Sequence, residues 1–87
     1  MNKPRLWTDI AWEDYRWWQQ HDRKTLQRIN KLIASAQITP FEGIGKPEPL
    51  RESLVGFWSR RIDDTHRLIY AVIDEQLAII ACRYQRD

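Results

Sequence analysis

The sequence predicts an α+β fold, an N-terminal helical hairpin packed on a mostly antiparallel sheet. Two observations predict it. Two segments of helical periodicity meet at His21-Asp22, a joint short enough to fold one helix back on the other. Later in the chain, three stretches rich in β-branched and aromatic residues are separated by short polar turns, Asp63-Asp64-Thr65 and Asp74-Glu75-Gln76, the pattern of an antiparallel meander. The 87 residues make one small domain, 1–87, and 43% hydrophobic with 30% charged residues is a globular balance.

Arg5 to Thr8 reads as a short first strand, and Asp9 as the N-cap of the first helix. Trp12, Tyr15 and Gln19 share one face of that helix, flanked by Trp18, and it runs to about Gln20. Asp22 caps the second helix. There Leu26, Ile29, Leu32, Ile33 and Ala36 follow the helical period, while Arg23, Lys24, Gln27, Arg28 and Lys31 fill the opposite face. Thr39-Pro40 ends it. The stretch from Thr39 to Ser53 holds Pro40, Gly43, Gly45, Pro47 and Pro49, a density that neither a helix nor an interior strand tolerates. A loop of this length in a small domain often carries function. Strands follow over Leu54 to Ile62, His66 to Ile73 and Leu77 to Tyr84. In the first, Phe57 and Ser59 face one side, and Trp58 and Arg60 the other.

Composition removes several function classes. The lone cysteine, Cys82, excludes an intramolecular disulfide and a thiolate metal cluster, and fits a reducing cytoplasm. No signal-peptide core follows the start, and the longest apolar runs, Leu68 to Ile73 and Leu77 to Cys82, fall far short of the about 20 residues that span a membrane. No Gly-rich phosphate loop, nucleophile elbow or metal-ligand spacing is present, and no cofactor or metal is expected. A net charge of +2, from 14 basic and 12 acidic residues, does not announce nucleic acid. The choice of base says more: ten of the 14 are Arg, whose planar fork suits phosphate.

Arg60, Arg61, Arg67 and Arg83 all fall on predicted strands that the meander sets side by side. Alternation sends Arg60 and Arg61 to opposite faces, leaving open which of them lines a shared patch. Glu48 and Arg51 lie in the Pro-rich loop leading to these strands. A carboxylate beside clustered Arg suits phosphodiester chemistry: the Glu takes a proton from a nucleophile, and Arg stabilises the charge that builds on phosphate. His66 and Arg67, as strand neighbours, face opposite sides, so His66 reads as a structural or capping residue. His21 reads as structural, Cys82 as a small core residue, and Trp12, Trp17 and Trp18 as core or partner surface.

Four motifs, in order, carry a family resemblance. Thr39-Pro-Phe-Glu-Gly-Ile-Gly-Lys-Pro-Glu-Pro-Leu50, Gly56-Phe-Trp-Ser-Arg-Arg-Ile62, His66-Arg-Leu-Ile-Tyr70 and Ala81-Cys-Arg-Tyr84 closely resemble the YoeB/Txe toxins of bacterial toxin–antitoxin systems, in the RelE/ParE superfamily. The resemblance runs nearly end to end, Trp12-Glu-Asp-Tyr15 included. It implies a microbial-RNase-like fold and a ribosome-dependent endonuclease that cuts mRNA in the A site without a metal, by attack of the RNA 2′-OH on the adjacent phosphate. It implies translation inhibition, neutralisation by a cognate YefM/Axe-like antitoxin, and a homodimer when free.

By the same resemblance Glu48 matches the general base, Arg67 the principal phosphate-stabilising arginine, and Arg61 a supporting one. Lys46, Arg51, Arg60, Arg83, Tyr84 and Arg86 make up the implied RNA-contacting set, with Arg51 standing where the family often has Lys. The end departs from the family's Arg-Tyr-His-Tyr. Gln85 occupies the position of the general-acid His and cannot donate a proton as an acid, and Arg86 replaces the aromatic. The departure raises an alternative, an attenuated toxin-like module that binds ribosome or antitoxin without efficient cleavage.

Overall fold

The computed structural model describes residues 4–84 and contains two helices on one face of a five-stranded sheet. The elements are β1 (Arg5–Trp7), α1 (Asp9–His21), α2 (Arg23–Ile38), β2 (Glu48–Pro49), β3 (Phe57–Arg61), β4 (Arg67–Ile73) and β5 (Gln76–Ala81), with a single 3-10 turn at Glu52–Leu54. Strand order is β1-β5-β4-β3-β2. β5, β4, β3 and β2 pair antiparallel, and β1 runs parallel to β5 at the edge. The expected meander is therefore present. The sheet gains two outer strands: the first, as read, and β2, which forms inside the Pro-rich stretch. Pro49 is tolerated there because β2 is an edge strand with one partner only.

Thr8, rather than Asp9, caps α1. Its backbone continues the extended path of β1, and its hydroxyl accepts from Ala11 N at 3.0 Å while donating to Ile80 O at 2.8 Å. The buried residues of α1 are Ala11, Asp14 and Trp18: of the face read as Trp12, Tyr15 and Gln19 only Tyr15 is partly buried, and the flanking Trp18 is the aromatic that enters the core. The rotation has a cause. Asp14 Oδ2 accepts from Cys82 N at 3.0 Å, and Trp18 Nε1 donates to Cys82 O at 2.8 Å. These two side chains satisfy the backbone just past the end of β5. Trp12, 47% exposed, stacks instead with Tyr15 and meets Trp7 edge-on.

Asp22 ends α1 and starts α2. Its carboxylate accepts from Thr25 N at 3.0 Å and from the Thr25 hydroxyl at 2.8 Å. The Thr25 backbone bond, then the hydroxyl, hold that carboxyl below its ordinary value of 3.8. A group depressed on folding stabilises above its unfolded value and loses that contribution as pH falls through the folded one. The stability difference between wild type and Asp22→Ala should therefore shrink when urea midpoints are compared at about pH 6 and about pH 2.5. An unchanged difference would remove Asp22 ionisation from the account.

The core lies between helices and sheet: Ala11, Trp18, Ile29, Leu32, Ile33 and Ala36 against Ile62, Leu68, Tyr70, Leu77, Ile79 and Cys82. Cys82 is thus the small core residue the sequence suggests. A register shift between Ile69 and Tyr70 leaves Ile80 unpaired on β5. Such a bulge changes the face that later residues take.

Gly45 closes the loop against this core. Its φ is +84°, its carbonyl accepts from Arg61 N at 2.7 Å, and an added Cβ would stand 2.5 Å from Leu32 Cδ2. Gly45→Ala is expected to cost about 1–3 kcal/mol, read as a lower urea midpoint. A midpoint matching wild type would show that the segment does not need this backbone.

Candidate functional site

Glu48 lies opposite Ser59 across the β2–β3 pair, and Arg61 lies opposite Arg67 across the β3–β4 pair. Cross-strand partners share a face, and so do strand residues two apart. Glu48, Ser59, Arg61 and Arg67 therefore face the same side. Their neighbours Trp58, Arg60, Leu68 and Tyr70 face the helices, so the Glu48 side is the face away from them, open at Glu48, half-buried at Arg61 and Arg67, and buried at Ser59. Three adjacent strands span about 10 Å, within reach of long Glu and Arg side chains converging on one group.

Two guanidinium-bearing residues directly opposite each other repel and weaken a sheet locally. Here the repulsion is offset on one side, since Arg61 pairs with Asp64 of the following turn. That pair is exposed and contributes little. Arg67, half-buried, has no carboxylate partner among the described residues. An anion bound between the two arginines would relieve the repulsion.

The carboxylate arrives on a loop that is held rigidly. Arg60 is fully buried and spends all five N–H donors on the protein. Nε donates to Tyr70 Oη at 2.9 Å, and Nη1 donates to Ser35 Oγ at 2.8 Å and Ile44 O at 3.0 Å. Nη2 donates to Thr39 O at 2.7 Å and Glu42 O at 2.8 Å. Tyr70 Oη in turn donates to Pro40 O at 2.7 Å. Burial pushes the Tyr70 hydroxyl up from its ordinary value, against the downward pull of the Arg60 bond, so it keeps the proton it donates. The expectation that Arg60 contacts RNA is thereby corrected: no donor is free, and no part of the side chain reaches solvent. Arg60 shares a face with Trp58 and Ile62, but Phe57 on the opposite face leaves that signal ambiguous in the sequence.

The remaining site residues are distributed as follows. Lys46 is exposed at φ +53°, two residues before β2, and Arg51 is exposed at the start of the 3-10 turn. Arg83 is held by aromatics: its Cζ stands 3.7 Å from the Trp17 ring centroid and 4.7 Å from that of Tyr84, and Nη2 donates to Tyr84 Oη at 2.8 Å. Tyr84 is exposed and its carbonyl accepts from Arg67 N at 3.2 Å, so the final described residue sits beside the arginine pair. Gln85 and Arg86 lie outside the described residues. His21 has the structural role expected, with Nδ1 2.8 Å from Trp17 O and its ring stacked on that indole. Among the described residues no cluster of three or more His, Cys, Asp or Glu could hold a metal ion.

Comparison with known proteins adds a family. Residues 7–86 match the model of the YoeB-like toxin of bacterial type II toxin–antitoxin systems. The chain is 54% identical over 79 residues to Toxin YoeB of Escherichia coli K12, covering 91% of this chain and 94% of that protein. The YoeB/ParE toxin from Agrobacterium tumefaciens superposes with a TM-score of 0.93 at 44% identity, over 95% of this chain and 99% of that one. YoeB from Staphylococcus aureus superposes as a dimer with a TM-score of 0.90 at 40% identity. In complex with YefM it does so at 0.88 and 39%, each match covering 99% of this chain and 100% of the other.

Proposed function

We propose that this chain, which belongs to the YoeB-like toxin family of bacterial type II toxin–antitoxin systems, is a ribosome-dependent endoribonuclease that cuts mRNA in the A site. The observation that supports this most is the shared open face of Glu48, Arg61 and Arg67. Glu48 takes the proton from the RNA 2′-OH, which attacks the adjacent phosphorus as the bond to the 5′ oxygen breaks. Arg67, with Arg61, stabilises the charge on the crowded phosphate. The products are a 2′,3′-cyclic phosphate and a 5′-hydroxyl. Lys46, Arg51, Arg83 and Tyr84 contact the RNA. Incubation with a programmed ribosome, followed by analysis of the new ends, tests the chemistry. Cyclic phosphate at a cut within the A-site codon is expected, whereas 3′-hydroxyl and 5′-phosphate ends would contradict it.

The 5′ oxygen needs a proton as it leaves, and Gln85 cannot supply one as an acid. This residue favours a second reading, a toxin that occupies the ribosome and cuts slowly, with Arg86 stabilising the leaving oxygen by charge alone. Gln85→His should then raise the single-turnover rate, up to the about 10²–10⁴-fold that general acid–base groups contribute. An unchanged rate would count against attenuation.

The partner follows from the family. A YefM-like antitoxin is the partner, since YoeB of Staphylococcus aureus forms a complex with YefM, and an acidic segment of it folds onto the basic face of this chain. The free chain self-associates, as the Staphylococcus aureus protein does. Among the described residues no helix is long and apolar enough to cross a membrane, and a ribosome-directed toxin acts in the cytoplasm.

A further inference from the structure

We infer that His66 is a positioning residue: with the amide of Arg67 it clamps the Tyr84 peptide and fixes where Tyr84 stands, beside the arginine pair. The inference rests on the nuclease reading of that same site. Tyr84 N donates to His66 Nδ1 at 2.7 Å, and Arg67 N donates to Tyr84 O at 3.2 Å. Arg67, which opens β4, and His66 just before it thus grip both backbone polar groups of one residue.

Tyr84 needs the grip. Its φ is +62°, a left-handed conformation that a residue with a side chain rarely adopts without support. Without the His66 acceptor, Tyr84 is free to return to negative φ, and its carbonyl and ring leave their place beside the arginine pair. His66 is itself fixed from three sides. Its amide donates to Asp63 Oδ1 at 2.7 Å, and its carbonyl accepts from Ile62 N at 3.0 Å and Asp63 N at 3.2 Å. Its ring meets Trp18 edge-on at 4.8 Å, and Trp18 in turn holds Cys82 O. The bond also fixes the tautomer. A ring nitrogen that accepts from an amide carries no proton, so the proton of the neutral ring is on Nε2. An imidazole engaged in this way is not the imidazolium that a general acid requires.

The test compares wild type, His66→Leu and His66→Asn, each first shown folded by circular dichroism. Asn carries an oxygen close to where Nδ1 stands, so it restores an acceptor without an imidazole. Two readouts are taken. Hydrogen exchange at the Tyr84 amide, together with imidazole nitrogen NMR, reports the clamp without reference to activity. Protection with an unprotonated Nδ1 is expected in wild type, loss of protection in His66→Leu, and its return in His66→Asn. On programmed ribosomes the cleavage rate at saturation should fall about 10–10²-fold in His66→Leu, the scale of a misplaced group, and recover in His66→Asn. Half-saturation should move less than about twofold in both, because the contact is made to the protein rather than to the ribosome. Equal Tyr84 exchange in wild type and His66→Leu overturns the clamp. Cleavage in His66→Leu equal to wild type overturns the positioning role. A wild-type chain that does not cut, yet protects Tyr84, contradicts the nuclease reading and leaves the clamp standing.

Discussion

Replacing Arg60 by methionine is expected to destabilise the chain by about 3–5 kcal/mol and to lower Tm by at least about 12 °C. Methionine matches the apolar stem but removes the Arg60 donor from five acceptors: Tyr70 Oη, Ser35 Oγ and the carbonyls of Thr39, Glu42 and Ile44, of which Thr39 O keeps the Glu42 amide and Glu42 O keeps the Thr39 hydroxyl. Each such group costs about 1–3 kcal/mol when buried unpaired. Water reaching the loop side recovers part of this, which keeps the total below the simple sum. A domain of this length is stable by only about 4–13 kcal/mol, so the loss is a large share. Arg60→Lys should fall between, since an ammonium keeps the charge but offers three donors and no planar fork. The loss should also reach the site, because the tethered carbonyls belong to the segment that delivers Glu48 to β2. A methionine variant with a wild-type urea midpoint would show that the arginine does not hold the loop.

This residue also shows how far the sequence could be read. Both helices, the joint at Asp22 and the three meander strands follow from periodicity and turn chemistry, which are local properties. The pairing of Arg61 with Arg67 across a short turn was equally within reach. The face of each arginine was not. Alternation said that Arg60 and Arg61 part company, but only the position of the helices says which side is wet. Arginine on a strand reads as surface unless something supplies acceptors, and here the acceptors are loop carbonyls with no sequence signature of their own. β2 was hidden for a related reason: Glu48 and Pro49, directly after Pro47, carry no strand propensity, and pairing with β3 alone creates the strand. The rotation of α1 was missed because the indole of Trp12 outweighs Asp14 in any apolar pattern. Asp14 is nonetheless buried, since Cys82 N needs an acceptor there.

The second large effect lies at the open face. Glu48→Gln is expected to lower the single-turnover cleavage rate by about 10²–10⁴-fold, as the loss of a general base does. The exchange keeps the shape of the side chain on an exposed edge residue, so stability should stay within about 0.5 kcal/mol of wild type. Ribosome binding should be retained, because the charge removed is negative and the surrounding surface is basic. Arg67→Ala removes charge stabilisation in the transition state and should cost about 10²–10³-fold. The two losses should not add fully, since base and electrostatic stabiliser act in one step.

The measurement that bears most directly on the account is single-turnover cleavage of a short mRNA in the A site of a programmed 70S ribosome, by wild type and by Glu48→Gln at equal occupancy. The account predicts a cut within the A-site codon by wild type, and a fall of at least about 10²-fold in the variant with binding intact. Equal rates for the two proteins, or ribosome binding by wild type with no cut at all, would contradict it.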